Sequence, residues 1–187
     1  MNDLKANEAE FKAIIKQTIH RDGIDSLMAW LDTTDFYRAP SSTRYHGSEP
    51  GGLCAHSLAT YKYLKASQED ESDETIAISA LFHDLCKVNF YKESFRSVKD
   101  ESGQWVKVPY YEVADQCPMG HGEKSVYLLM NHMKITEEEA MSIRWHMGFS
   151  VVEQVYEKPA LVTAMKKFHL TLKLQFADSA ASFWEGL

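Results

Sequence analysis

The feature that most constrains the fold is a strongly apolar segment, residues 74–87, that contains an adjacent histidine and aspartate. Its large apolar side chains fall on nearly all sides of a helical wheel, which is typical of a helix that is buried on most sides. These side chains are Ile76, Ile78, Leu81, Phe82 and Leu85. A strand is the alternative, but the length of the segment favours a helix. The segment therefore predicts a central helix over residues 74–87.

His83 and Asp84 place an imidazole and a carboxylate inside this apolar segment. On an α-helix, adjacent side chains lie about 100° apart, yet both can reach a point beside the helix. A charged aspartate is almost never buried without a partner. A divalent metal ion is one such partner, and an arginine, a lysine or the N-terminus of another helix is another.

Other apolar helices carry further groups that can bind a metal. His56 follows a pair of glycines at a helix start, where glycine allows close backbone approach, and Asp178 lies among small residues in an apolar terminal helix. Imidazole and carboxylate together suit Mn, Fe, Zn, Ni, Co or Mg. His121 and His146 lie at helix ends and could complete a second metal position. Two ions about 3.5–4 Å apart would hold a hydroxide and a phosphoryl oxygen between them.

The rest of the chain predicts an all-α helical bundle in one domain of 187 residues. Two helices fall within residues 1–38, the last helix is predicted to bend near His169, and Pro159 suits a first helical position. Thr136 and Glu139 have the spacing of a capping box. A small β-hairpin is predicted as an insertion over residues 90–117. The predicted helices cover residues 3–20, 24–34, 54–67, 74–87, 121–133, 136–146 and 159–185.

Composition excludes several classes of protein. The formal net charge is −7, which disfavours nucleic-acid binding through a general basic surface. The cysteines Cys54, Cys86 and Cys117 form no CxxC pair, which favours reduced thiols over a disulfide framework. No apolar run is long enough to span a bilayer, and the N-terminus lacks a signal-peptide core. We therefore expect a cytoplasmic protein without a membrane partner.

The ordered set of candidate ligands is His56, His83-Asp84, His121, His146 and Asp178. This order resembles the HD-domain metal-dependent phosphohydrolases, and the two additional histidines make it similar to the binuclear branch of that superfamily. The strings SSTRYHGSEPGGLCAHSL, ALFHDLCKV, GHGEKSV and RWHMG are similar to bacterial and phage HD proteins described as hydrolases. The resemblance covers about residues 39–183.

The resemblance implies an HD helical bundle that binds two divalent ions, drawn from Mn, Fe, Ni, Co, Zn and Mg. It further implies that a metal-activated hydroxide hydrolyses a nucleotide or a related phosphoester. Asp84 would bridge the ions and Lys87 would neutralise a substrate phosphate, so these two are the implied catalytic residues. Cys86 stands where the superfamily usually has glycine before that lysine. The implied metal ligands are His56, His83, Asp84, His121, His146 and Asp178.

Two other functions are open on the sequence. Some binuclear-iron relatives in the superfamily are oxygenases, and the fold could also serve as a non-catalytic module that binds a nucleotide. The filled ligand positions count against the non-catalytic module. The Gly-Tyr-Pro signature of the cyclic-di-GMP phosphodiesterases is absent, because residues 121–125 read HGEKS.

Four basic residues are candidates for contacts with a substrate phosphate. Arg44 and His46 lie in the loop 39–53, which is rich in serine, proline and glycine, and Lys124 and Arg144 are close in sequence to two implied ligands. An arginine can hold a phosphate with two parallel hydrogen bonds. The alternative for each of the four is an ordinary solvated surface position.

Overall fold

The computed structural model describes residues 3–44, 47–67, 70–152 and 155–184. These residues contain eight α-helices and a two-stranded antiparallel sheet. The described residues are 57% helical and 10% strand, a mixed composition, so the predicted all-α class is wrong. The physical reason is that the insertion pairs two full strands of nine residues each with one another. The expectation of a helical bundle with a small β insertion is met in part.

The helices follow the predicted order along the chain, with shifted ends. They are α1 (Leu4–Thr18), α2 (Ile24–Leu31), α3 (Gly52–Ala66), α4 (Asp73–Leu81), α5 (His121–Met130), α6 (Glu137–Trp145), α7 (Glu157–Lys167) and α8 (His169–Trp184). None of the described helices is both long and apolar enough to cross a membrane.

Local hydrogen bonds explain where several helices begin. The Asp3 carboxylate accepts from the Ala6 N–H at the start of α1, and the capping box predicted for Thr136 and Glu139 opens α6. The N-cap of α2 is Gly23, whose φ is +96°, and a Cβ there would meet the His132 carbonyl oxygen at 2.1 Å. Only glycine fits at this close approach between two parts of the chain.

The predicted central helix over residues 74–87 is wrong beyond Leu81, where α4 ends. The chain then turns, and a short 3₁₀ helix occupies Leu85–Lys87. His83 and Asp84 therefore lie in a turn after the helix instead of within it. In this turn both side chains reach the same cluster of polar atoms, and His83 Nε2 lies 3.4 Å from Asp84 Oδ2.

The central position predicted for this segment is nevertheless observed. Residues 76–81 of α4 are buried, and α4 packs against α1, α3 and α6. The ring of Phe82 lies 5.9 Å from that of Phe11 in an edge-to-face contact. The helices α3 and α6, which pack against α4, also pack against α8. These four helices therefore meet in one part of the core.

The C-terminal region forms two helices where one bent helix was predicted. Phe168 adopts an extended conformation between α7 and α8, with φ −124° and ψ 97°. Pro159 is the third residue of α7, not the first. The break turns α8 back along α3 and α6, which carries Asp178 toward the centre of the protein.

The hairpin consists of β1 (Tyr91–Lys99) and β2 (Trp105–Val113), paired from Tyr91 with Val113 to Lys99 with Trp105. The Asp100 carboxylate closes the turn by accepting from the N–H groups of Ser102 and Gln104. Trp105 is 70% exposed, so the hairpin projects into solvent.

Candidate metal centre

The six sequence-predicted ligands all face one region of the structure. His56 lies on α3, the His83-Asp84 pair follows α4, and Asp178 lies on α8. The other two mark helix ends, because His121 is the first residue of α5 and His146 is the C-cap of α6. Five separate elements thus supply the groups to a pocket of about 690 Å³.

A first set of ligand atoms comes from His56, His83 and Asp178. His56 Nε2 lies 3.0 Å from Asp178 Oδ1 and 3.3 Å from His83 Nε2. His83 Nε2 lies 3.8 Å from Asp178 Oδ1. All three residues are buried, and their ligand atoms lie within 4.8 Å of one another, as donors to a common ion would.

A second set forms around the other side of Asp84. His121 Nε2 lies 2.9 Å from Asp84 Oδ1, and His146 Nε2 lies 3.6 Å from the same oxygen. The opposite oxygen, Oδ2, faces the first set, at 3.6 Å from His56 Nε2 and 3.4 Å from His83 Nε2. Asp84 therefore lies between the two sets and presents one oxygen to each.

Backbone hydrogen bonds fix the orientation of two imidazoles. The Nδ1–H of His83 donates to the Ala80 carbonyl and that of His146 to the Ile143 carbonyl, each at 2.7 Å. A carbonyl oxygen only accepts, so Nδ1 carries the proton and Nε2 of the neutral ring keeps a lone pair. This arrangement is the usual one for histidines that bind a metal through Nε2.

The resulting lone pairs face carboxylate oxygens. His146 Nε2 is buried without a hydrogen-bond partner among the described residues, although Asp84 Oδ1 is 3.6 Å away. Two acceptors that face each other in a buried site repel unless a positive charge lies between them. The buried histidine, aspartate and cysteine groups of this pocket could therefore hold a metal ion.

The carboxylates of the pocket keep their negative charge. Burial raises the pKa of Asp84, but the Lys87 ammonium and the hydrogen bond from His121 outweigh burial and hold that pKa well below its usual range. Burial likewise raises the pKa of Asp178, but the hydrogen bond from His56 brings it below its usual range. Both aspartates are thus in the protonation state that binds a cation.

Two neighbouring cations balance the charge of Asp84. Lys87 Nζ lies 2.6 Å from Asp84 Oδ2, and although burial lowers the pKa of this lysine, the carboxylate raises it above its ordinary value. Burial also lowers the pKa of His121, but the hydrogen bond with Asp84 and the contact with Cys86 raise it to about 9. The pocket is therefore organised around positive charge held next to Asp84.

Cys86 contacts the second set of ligand atoms, although the sequence does not predict it as a ligand. Its sulfur lies 3.3 Å from His121 Nδ1 and 3.9 Å from Asp84 Oδ1, and Asp84, Cys86 and His121 form a third group that could hold a metal. The sequence signal for this residue is its position two residues after Asp84. That spacing indicates that the two side chains are close only if the segment forms a turn and not a helix.

The other described candidates for contacts with substrate do not line the pocket of the six ligands. Arg44 is exposed and lines a second pocket beside the hairpin, with Arg96 and Tyr110. Lys124 is buried and pairs with Asp115. His46 lies outside the described residues.

Arg144, the last of the four candidates, is held by acidic groups of its own surroundings. It pairs with Glu123, lies 3.7 Å from Glu157, and stacks on the Trp145 ring at 3.9 Å. It lines a groove next to α7 and not the pocket of the six ligands.

Comparisons of the chain with protein-family models, with curated proteins and with solved structures found no match. Function is therefore inferred from the chemistry of the pocket itself.

Proposed function

We propose that the protein is a metal-dependent phosphohydrolase of the HD type, with a binuclear centre that acts on a small phosphoester such as a nucleotide. The observation that supports this most directly is the position of Asp84, which presents one oxygen to each of two sets of histidine ligands. The first ion would be held by His56, His83, Asp84 and Asp178. The second would be held by Asp84, His121 and His146.

Divalent ions at such positions activate water and offset the charge that develops on phosphoryl oxygens. The protein contributes the orientation of the ligands. Because His83 and His146 are fixed by backbone carbonyls, their Nε2 atoms need no rearrangement to receive an ion. Preorganised groups of this kind are the main source of electrostatic stabilisation in enzymes.

Lys87 is positioned to bind the phosphate of a substrate. Its side chain lines the pocket, and its ammonium is held by Asp84. When cations neutralise Asp84, the attraction of Lys87 to that carboxylate weakens and the ammonium can donate to a phosphate oxygen instead. Lys87 is the only lysine or arginine among the described lining residues, which favours a substrate with one phosphate group over a long polyphosphate.

Part of the pocket lining is apolar. Met147, Phe149 and Phe183 form this part, and the two phenylalanines are 50% and 73% exposed. Pockets for small molecules commonly combine apolar walls with a few convergent polar groups, in volumes of roughly 300–1,000 Å³. A phosphoester with an apolar or aromatic portion, as in a nucleoside monophosphate, fits this division of the pocket.

The test is metal analysis of protein purified without a chelator, followed by assays of phosphate release. Nucleotides and simple phosphomonoesters would be supplied in turn with Mn, Co, Ni, Fe, Zn and Mg. We expect bound transition metal and a phosphate release that stops when a chelator is added. Oxygen uptake without phosphate release would favour the oxygenase, and nucleotide binding with no product under any metal would favour the non-catalytic module.

Replacing Lys87 with methionine should lower kcat/KM for a phosphomonoester by about 10- to 100-fold, because hydrogen bonds to a charged group contribute about 1.5–3 kcal/mol. Metal content should be retained, since the lysine is not a ligand. Steady-state kinetics and metal analysis of the same preparation measure both quantities. The matched control is Lys99→Met, at the distal end of the hairpin, which should leave kcat/KM unchanged. Equal activity of Lys87→Met and the unmodified protein would contradict the assigned role.

A further inference from the structure

Cys86 places its sulfur at the edge of the second set of ligand atoms. The sulfur lies 3.3 Å from Nδ1 and 3.6 Å from Nε2 of His121, and 3.9 Å from Asp84 Oδ1. The residue is only 3% exposed. A thiol in ordinary core packing has apolar neighbours, whereas this one has an imidazole and a carboxylate.

These separations are close to those expected for donors to a common ion. A metal with about 2.3 Å to sulfur and about 2.0–2.2 Å to nitrogen or oxygen in tetrahedral geometry spaces its donors roughly 3.3–3.7 Å apart. The observed edges are 2.9 Å from His121 Nε2 to Asp84 Oδ1, 3.6 Å from that nitrogen to sulfur, and 3.9 Å from sulfur to oxygen. Shifts of a few tenths of an ångström would bring all three atoms onto one ion.

The backbone holds the sulfur in this position. The N–H of Cys86 donates to Ser125 Oγ at 3.0 Å, which ties the turn after α4 to α5, the helix that begins with His121. His146 adds an independent indication, because its buried Nε2 lacks a hydrogen-bond partner among the described residues and faces the same oxygen of Asp84.

We propose that Cys86 is a thiolate ligand of the second metal position, together with Asp84, His121 and His146. This proposal rests on the proposed function, which includes the metal centre, and it adds a soft ligand to that centre. On binding, a metal–sulfur bond replaces the S–H bond and the thiol proton passes to solvent. A thiolate favours Zn, Co or Fe(II), whereas Mg and Mn prefer oxygen ligands. The second position is therefore selective for a soft transition metal.

The other two cysteines provide internal controls. Cys54 is buried in the core, where burial raises the pKa of its thiol to about 12 and keeps it protonated. Cys117 is half-buried and lies outside the groups of described residues that could hold a metal. Neither should contribute a sulfur ligand.

The experiment is titration of the full-length protein with Co²⁺, observed by near-ultraviolet absorption. A thiolate bound to Co²⁺ gives a charge-transfer band that nitrogen and oxygen ligands do not give. We expect the band in the unmodified protein and in Cys117→Ser, and its loss in Cys86→Ser although Co²⁺ still binds. Affinity for Zn²⁺ should fall by about 10- to 100-fold in Cys86→Ser, as for loss of other groups that support a metal site. Affinity for Mg²⁺ should change little.

The proposal is overturned if Co²⁺ binds to the unmodified protein without the band, or if the band persists in Cys86→Ser. Phosphoester hydrolysis without the band would leave the proposed function standing and remove only the thiolate ligand, whereas absence of any Co²⁺ binding would count against both. If Cys86→Ser fails to fold by circular dichroism, X-ray absorption spectroscopy of the unmodified protein with bound Zn²⁺ decides the matter. A sulfur neighbour at about 2.3 Å from the ion is expected, and a shell of nitrogen and oxygen alone would contradict ligation.

Discussion

Replacing Asp84 with asparagine is expected to remove metal retention and phosphoester hydrolysis together. Asp84 Oδ1 lies 2.9 Å from His121 Nε2 and Oδ2 lies 3.4 Å from His83 Nε2, so both ligand sets lose a charged oxygen in one substitution. We expect kcat/KM to fall by more than about 100-fold, the upper end of what loss of a group supporting a single ligand costs. Metal analysis of the purified variant and phosphate release in added metal measure the two effects.

Asp178→Asn is the matched control, because Asp178 belongs to the first set only. This variant should lose metal from the first position and keep the cobalt–thiolate band of the second. Circular dichroism should show that both variants fold. A folded Asp84→Asn protein with full metal content and full activity would refute the binuclear assignment.

The largest effect on stability is expected from the buried pair formed by Arg21 and Glu139. Glu139 is fully buried, and the guanidinium of Arg21 donates to both of its oxygens. The same carboxylate accepts from the Thr75 hydroxyl and the Thr136 N–H. Replacing Arg21 with alanine leaves a buried charge without its cation, which should lower the free energy of unfolding by about 3–5 kcal/mol. Urea denaturation measures this loss.

Two further variants distinguish the contribution of the buried pair to the free energy of unfolding from that of surface charges in general. Glu137→Ala, on the same helix as Glu139, breaks an exposed pair with Lys167 of α7 and should change the free energy of unfolding by less than about 1 kcal/mol. The double variant Arg21→Met with Glu139→Leu should recover part of the loss, because an apolar pair needs no charge compensation. A loss below about 1 kcal/mol in Arg21→Ala would show that the ion pair is not a major stabilising contact.

Much of the fold could be predicted because helix starts are encoded locally. The capping box at Thr136 depends on residues three positions apart, and the apolar periodicity of α1 and α3 depends on neighbours within two turns.

The end of α4 could not be predicted from local sequence. Phe82 and Leu85 continue the apolar pattern, and no glycine or proline follows Leu81 to mark a stop. The chain leaves the helix there because tertiary packing overrides the local preference.

The site was predictable to the extent that its ligands are unusual residues in apolar surroundings. The partners in ion pairs cannot be recognised from the sequence in this way. Lys124 pairs with Asp115 and Arg144 pairs with Glu123, and nothing in the sequence distinguishes these structural pairs from phosphate ligands. Cys86 is not predictable as a ligand for the same reason as the helix end, because its approach to His121 depends on the turn that follows α4.

The ligands lie between residues 56 and 178, and five elements contribute them. An ion bound there acts as a noncovalent cross-link across most of the sequence, and it forms only after the distant segments have assembled. At a free metal concentration 100-fold above the dissociation constant, such a link adds about 2.7 kcal/mol to the free energy of unfolding. Metal binding would then slow proteolysis of the chain as well as support the proposed activity.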